Sequence, residues 1–282
     1  MSASISGASV ELASGKDKGD ENFPVGSWLI RCDLRKHVHA YYAFARNADD
    51  IADHPSLAPD DKIARLDVMD AVLTGAAETG SPSALQLRVS LAQTGVDPVH
   101  ARDLLIAFRQ DATKHRYADW GELMHYCRYS AAPVGRYVLA LHGEGANSFP
   151  ASDALCASLQ VLNHIQDCGK DFAALDRSYL PGDWLAREGI GPDSVRAPVT
   201  SPALRRVLDA MLLATADLNR TAAALPGLVR ARGLRLETAI ILGLAQRLQR
   251  RLCRFDPLAA RVKLRSSDAL GALVAALPRA VG

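Results

Sequence analysis

Three features of the sequence predict an all-α fold. Apolar residues recur at helical spacing in one segment after another. Alanine and leucine are abundant and aromatic residues make up only 6%, which disfavours an all-β reading. Strand-like alternation bounded by turn residues is hard to find anywhere in the chain. At 282 residues the length allows one or two domains. The unbroken succession of helical patterns favours one, residues 21–282, behind a disordered tail, residues 1–20.

The tail is read from its Ser, Ala, Gly and charged residues, and it lacks the apolar core of a signal peptide. Pro24 and Gly26 then break any regular element before the apolar entry Trp28-Leu29. Ser27 stands there either as an ordinary N-cap or at a helix start able to meet a phosphate. The first helix is predicted over Leu34–Asp53 and ends at His54-Pro55, because a proline disfavours helical geometry in the residue before it. Asp60–Leu73 and Ala84–Thr94 read as scaffold helices separated by Thr79-Gly80-Ser81-Pro82. Asp97–Tyr117 is predicted as another helix. Lys114, His115 and Arg116 in its last turn suit either the helix dipole or a bound phosphate.

Glu122–Leu141 reads as a helix interrupted by Pro133. The small residues Ser130, Ala131, Ala132 and Gly135 beside the kink leave room for a neighbouring helix or an elongated apolar ligand. Gly143-Glu144-Gly145 falls in a loop and lacks the third glycine and the preceding strand of a dinucleotide site. A second acidic helix runs through Asp171, followed by a loop, Asp176–Pro181, able to close over a site. Arg177 and Tyr179 are phosphate contacts or loop anchors. Residues 181–202 form a connection with a short helix, and Ala203–Leu225 and Leu234–Phe255 are long helices. In the latter Leu236, Ile240, Leu244, Leu248 and Leu252 make the core line. Arg247, Arg250, Arg251 and Arg254 flank it, as a solvated face or one suited to an anionic membrane surface. A last short helix begins near Arg261–Asp268.

The formal net charge of +2 and a pI near 8.3 exclude the basic footprint of a nucleic-acid-binding protein. Five scattered cysteines with no CxxC and no zinc spacing read as reduced thiols of a cytoplasmic protein. No segment approaches the ~18 uninterrupted apolar residues of a membrane span. Peripheral contact with the inner membrane face is compatible with that.

The chemistry is carried by two acidic stretches. Tyr42, Arg46, Asp49 and Asp53 fall at i, i+4, i+7 and i+11, and Gln160, Asn163, Asp167 and Asp171 at i, i+3, i+7 and i+11. On a helix each set is one face, with its two carboxylates one turn apart. Phe44, Ala48 and Ile51 lie beside the first set and Leu159, Leu162 and Ile165 beside the second, so both helices are expected to be substantially buried. If the two stripes face each other, four carboxylates repel unless cations sit between them. The donors are all oxygen, which selects Mg2+, an ion that binds through one or two carboxylates and the oxygens of a phosphate-bearing substrate. The competing reading for either stretch alone is a solvated acidic face paired with Lys or Arg; Arg46 is then simply the counter-ion of Asp49 or Asp50.

These residues resemble the squalene/phytoene synthases. The pieces are Tyr42-x-x-x-Arg46-x-x-Asp49-x-x-x-Asp53, Tyr126-Cys127, Gln160-x-x-Asn163-x-x-x-Asp167-x-x-x-Asp171, Tyr179-Leu180-Pro181 and Arg261-x-Lys263-Leu264. Glu21–Val25, Phe44–Asp53, Ser130–Arg136 and Gln166 resemble the bacterial branch that makes hydroxysqualene. His164-Ile165 and Asp176-Arg177-Ser178 depart from the family pattern and affect pocket shape. The resemblance implies a single-domain isoprenoid synthase fold, with helices around a central cavity and two facing Asp-rich helices. It implies ionisation of presqualene diphosphate by Mg2+ held at Asp49, Asp53, Asp167, Asp171 and Asn163, assisted by Arg46, then water capture. Gln160, Ser27, Arg116, Arg177 and Tyr179 are the further diphosphate candidates, and Tyr129 and Tyr42 could position the diphosphate or the water. Association with enzymes that supply the substrate and consume the product is also expected. The alternatives are a head-to-head prenyltransferase making presqualene diphosphate, squalene or phytoene, and a non-catalytic relative acting as a binding module.

Overall fold

Prolines and short polar caps set most of the helix starts. The structure, a computed structural model, describes residues 9–11 and 29–281, with residues 278–281 by backbone alone. The helices are α1 (Cys32–Ala52), α2 (Pro59–Thr74), α3 (Pro82–Thr94), α4 (Val99–Asp111), α5 (Trp120–Ser130), α6 (Ala132–Leu141), α7 (Phe149–Gln166), α8 (Cys168–Leu175), α9 (Gly182–Arg187), α10 (Pro202–Ala222), α11 (Leu225–Leu228), α12 (Arg232–Leu252) and α13 (Ser266–Val281). Pro59, Pro82 and Pro202 begin helices, where a missing N–H costs nothing. Ser81, Asp119 and Ser201 accept from the N–H groups of Ala84, Glu122 and Leu204. The all-α expectation holds: among the described residues the β pairing is one isolated bridge, Tyr117 with Pro181.

The chain divides into two compact units, Met1–Lys114 with Ala140–His142, and His115–Leu139 with Gly143–Gly282. In the first, α1 packs on α2, α3 and α4. Phe44, Ala48, Ile51, Leu66, Met69, Leu87, Leu104 and Leu105 are fully buried between them. Residues 9–11, expected in a disordered tail, dock on this unit. The N–H of Val10 donates to the Gly80 carbonyl at 2.8 Å, its carbonyl accepts from Arg65 at 2.9 Å, and Glu11 accepts from the N–H of Ser83 at 2.7 Å. The rest of that tail, the Glu21–Val25 stretch and Ser27 lie outside the described residues.

In the second unit α7 is central, packed on α5, α8, α10 and α12. A buried polar chain ties three of these helices. Ser158 donates to Asn219, Asn219 to Gln249, and Gln249 to the Leu212 carbonyl, each at 2.8 Å. Four element boundaries differ from expectation. The helix expected over Asp97–Tyr117 ends at Asp111, because the backbone of residues 115–118 pairs instead with residues 178–183: Ser178 N–H to the His115 carbonyl, Gly182 to Tyr117 and Asp183 to Ala118, at 2.8–2.9 Å. The helix expected to kink at Pro133 is two helices. Ala131 leaves helical geometry at φ −123° and Pro133 sits in the first turn of α6, the position a proline tolerates. Gly135 meets α7 there so closely that a Cβ would stand 2.7 Å from Cys156 Sγ, so a neighbouring helix fills the room at that glycine. The second acidic helix breaks at Asp167. The last helix is 16 residues rather than short.

Glu144 anchors the start of α12. Its carboxylate accepts from the backbone N–H groups of Arg230 at 3.0 Å and Ala231 at 2.8 Å, and the Arg230 guanidinium lies at 3.4 Å. Burial by itself would raise its pKa; the N–H groups of Ala231 and Arg230 and the guanidinium outweigh that and hold it below the usual value. Glu144→Ala is expected to lower the unfolding free energy by about 1–3 kcal/mol, measured by urea titration at neutral pH. A carboxylate with a depressed folded pKa stabilises above its unfolded value, near 4.3, and loses that contribution as pH falls through the folded value. The difference between wild type and variant should therefore shrink in acid; a constant difference would contradict the assignment.

Candidate active site

In the first unit the stripe is the half-buried face of α1. Tyr42, Arg46, Asp49 and Asp53 are each partly exposed, while Phe44, Ala48 and Ile51 beside them are fully buried. The Asp53 N–H donates to the Asp49 carbonyl at 2.8 Å, which keeps the two carboxylates one turn apart. Arg46 bridges two acids: one guanidinium nitrogen lies 3.2 Å from Asp49 and another 2.7 Å from Asp50, whose side chain is largely buried. Burial disfavours the guanidinium charge, and Asp49 and Asp50 more than compensate, raising its pKa. Acids at a helix C-terminus oppose the dipole. Lys62 of α2 offsets this by donating to the Ala52 carbonyl at 2.8 Å.

In the second unit Gln160, Asn163, Asp167 and Asp171 are again the partly exposed face. They do not lie on one continuous helix, as the spacing led us to expect. Asp167, at φ −108° and ψ 12°, separates α7 from α8. The Asp167 N–H still donates to Asn163 at 2.9 Å and the Asp171 N–H to Asp167 at 2.8 Å, so the one-turn spacing survives the break. Arg261 grips Asp167 with a fork, Nε to Oδ1 at 2.9 Å and Nη2 to Oδ2 at 3.0 Å. The preceding side chain, Gln166, donates to the Val262 carbonyl, so two successive residues strap the segment after α12 onto this junction. A cleft of about 430 Å³ opens beside it, with Lys170, Arg196 and Arg261 on its wall near Asp167. Three cations against one carboxylate favour an anion there. Sequence reasoning assigned no role to these three. Its only signal was the Arg261-x-Lys263-Leu264 piece of the resemblance.

The loop after α8 brings in Arg177 and Tyr179. The Arg177 N–H reaches the Asp171 carbonyl at 3.5 Å, and its buried guanidinium donates to the Tyr179 hydroxyl at 3.2 Å. Tyr179 stacks on His164 with ring centroids 3.4 Å apart, and Tyr117 and Tyr126 complete the cluster at 5.4 and 5.7 Å from Tyr179. His164, a departure from the family pattern, thus occupies a place among aromatic rings. Arg116 is turned to Asp176 at 2.7 Å and lies over the Phe172 ring, so its charge is paired with the loop after α8. Tyr129 is half-buried on α5, edge-on to His125 at 5.3 Å.

Each acidic pair fits Mg2+ in the same limited sense. The donors are carboxylate oxygens on successive turns and partly exposed. Among the described residues no group of three or more His, Cys, Asp or Glu side chains is placed to hold a metal by itself. Two carboxylates with coordination left for water and phosphate oxygens is the donor set this ion accepts. Arg46 and Arg261 are the counter-ions it would have to displace from Asp49 and Asp167.

Burial, reinforced by the charge of Arg177, pushes the His164 imidazole down to about 3. It is therefore neutral in the folded protein at every working pH. A histidine with an unfolded pKa near 6.5 takes up a proton on unfolding in acid, so stability should fall as pH drops from about 6.5 toward the folded value. His164→Phe keeps the ring stack and is expected to flatten that part of the pH dependence of urea unfolding. Identical slopes for the two proteins would count against a neutral, buried His164.

The description "Squalene/phytoene synthase" belongs to the family model that matches residues 16–268. The chain is 48% identical over 255 residues to a hydroxysqualene synthase of Rhodopseudomonas palustris, covering 90% of this chain and 87% of that one. It is 46% identical over 245 residues to the hydroxysqualene synthase of Sinorhizobium fredii, covering 87% and 84%. Among solved structures it is similar to a squalene synthase of Alicyclobacillus acidocaldarius, at 33% identity and a TM-score of 0.67 over 80% of this chain and 88% of that one. Its all-α architecture is the isoprenoid synthase fold. With a matched span that contains both acidic pairs, the chain belongs to the squalene/phytoene synthase family.

Proposed function

We propose that this protein is a hydroxysqualene synthase that converts presqualene diphosphate and water to hydroxysqualene and diphosphate. The observation that carries this reading is the 48% identity, over 90% of the chain, with a relative of that activity. The carbon–oxygen bond to the diphosphate breaks with its electron pair leaving on the phosphate oxygen. The resulting cyclopropylcarbinyl cation rearranges, a water oxygen bonds to it, and a proton is released. Asp49 and Asp53 in one unit, and Asp167 and Asp171 with Asn163 in the other, are the residues that would hold Mg2+. When bound, Mg2+ supplies Lewis-acid stabilisation of charge on the departing diphosphate. Contact with the anion is assigned to Arg46, which pairs with Asp49, to Arg177 and Gln160, and to the cleft cations Lys170 and Arg196. Tyr42 and Tyr129 orient either the diphosphate or the water. We also propose that the protein works beside the enzymes that make its substrate and consume its product.

Purified protein incubated with Mg2+ and presqualene diphosphate should yield an alcohol by mass spectrometry, without a nicotinamide. Farnesyl diphosphate alone should yield nothing. Formation of presqualene diphosphate from the second substrate would move the chain to the condensing enzymes and overturn the proposal. Asp49→Asn and Asp171→Asn should each lower kcat on the order of a hundredfold or more. Chelation of the metal should abolish turnover and restoring Mg2+ should recover it.

A further inference from the structure

The outward face of α13 is the wrong one for water. Small residues point inward: Ala272 and Ala276 are buried, and Gly243 of α12 allows so close an approach that a Cβ there would stand 3.2 Å from the Ala272 methyl. The large side chains point out. Leu270, Val274 and Leu277 are 63%, 59% and 50% exposed. At i, i+4 and i+7 they form one stripe, with the half-buried Leu273 beside it. A helix serving only to close the core would present the opposite order. Phe255, 49% exposed at the end of α12, is tied to this element through Arg251, which lies over its ring and also pairs with Asp268 at 3.6 Å.

The exposed charges that lead into the helix are positive. Asp268 is the only acidic residue of α13 and is engaged by Arg251. Lys263 and Arg265 lead into the helix, and Arg250 and Arg254 lie on or just after α12; all four are exposed. We propose that this face docks on the surface of an anionic lipid bilayer, with Leu270, Val274 and Leu277 entering the acyl boundary and Lys263 and Arg265 meeting the headgroups. The positive rim is what selects an anionic surface over a neutral apolar partner. The helix lies on the bilayer rather than crossing it, since no helix among the described residues is long and apolar enough to span. Nothing in this inference depends on the reaction assigned above.

The test is co-flotation of the full chain with phosphatidylcholine vesicles, with and without phosphatidylglycerol. Wild type should float with the anionic vesicles and weakly or not at all with the neutral ones. The double variant Leu270→Glu/Val274→Glu should lose on the order of tenfold or more in partitioning. Arg265→Glu should lose about fivefold per charge at low salt, an effect that shrinks as salt is added. Far-UV circular dichroism and the alcohol-forming assay in detergent should be unchanged, because the substituted side chains are on the surface. Wild type that stays soluble beside anionic vesicles would overturn the proposal. So would a lipid-free dimer, seen by light scattering, that Leu270→Glu/Val274→Glu dissolves, since the face would then be a protein interface.

Discussion

Carboxylates carried on helices that are otherwise buried need counter-charges, and much of this structure answers that need. α1 cannot turn its acidic face fully to water without exposing Phe44, Ala48 and Ile51, and α7 cannot do so without exposing Leu162 and Ile165. Each stripe is therefore held half-buried, where an uncompensated charge is expensive. Arg46 serves Asp49 and Asp50 from within the same helix, and Lys62 serves the helix end. Asp167 is paired with Arg261, from the segment after α12. In each unit a half-buried carboxylate is thus matched by a basic side chain within ion-pair distance.

Around the second pair the polar and aromatic groups have divided roles. The Ser158–Asn219–Gln249 chain satisfies buried donors and acceptors among α7, α10 and α12 and so fixes how the stripe-bearing helix is seated. The stack of His164, Tyr179, Tyr126 and Tyr117 fixes the loop that carries Arg177. An imidazole is a flat ring of nearly the right shape for an aromatic position, and burial keeps it uncharged there. That accounts physically for a histidine seated among tyrosine rings. Arg116, by contrast, is held by Asp176, the one described non-glycine residue with positive φ, and stabilises the loop.

The C-terminal helix follows a different logic. Its alanines and the glycine opposite them give close backbone packing with α12, while its leucines and valine are left outward.

Much of the helical fold and the spacing of the two acidic stripes were legible in the sequence because they are local. Helices read from Asp60, Ala84 and Ala203 begin one or two residues earlier, at prolines whose missing N–H costs nothing there, and the acidic stripes follow from side chains three and four residues apart. Tertiary structure decided what local spacing cannot carry. Arg261 lies 94 residues from the aspartate it grips, and nothing in either neighbourhood announces the other. Beyond the end of α4 the carbonyls of His115, Tyr117 and Ala118 accept from Ser178, Gly182 and Asp183, partners more than sixty residues away that no local spacing announces. Docking of Val10 against Gly80 and Arg65 gave order to a stretch whose composition reads as tail. Periodicity sets which face a side chain takes; only packing sets what that face meets.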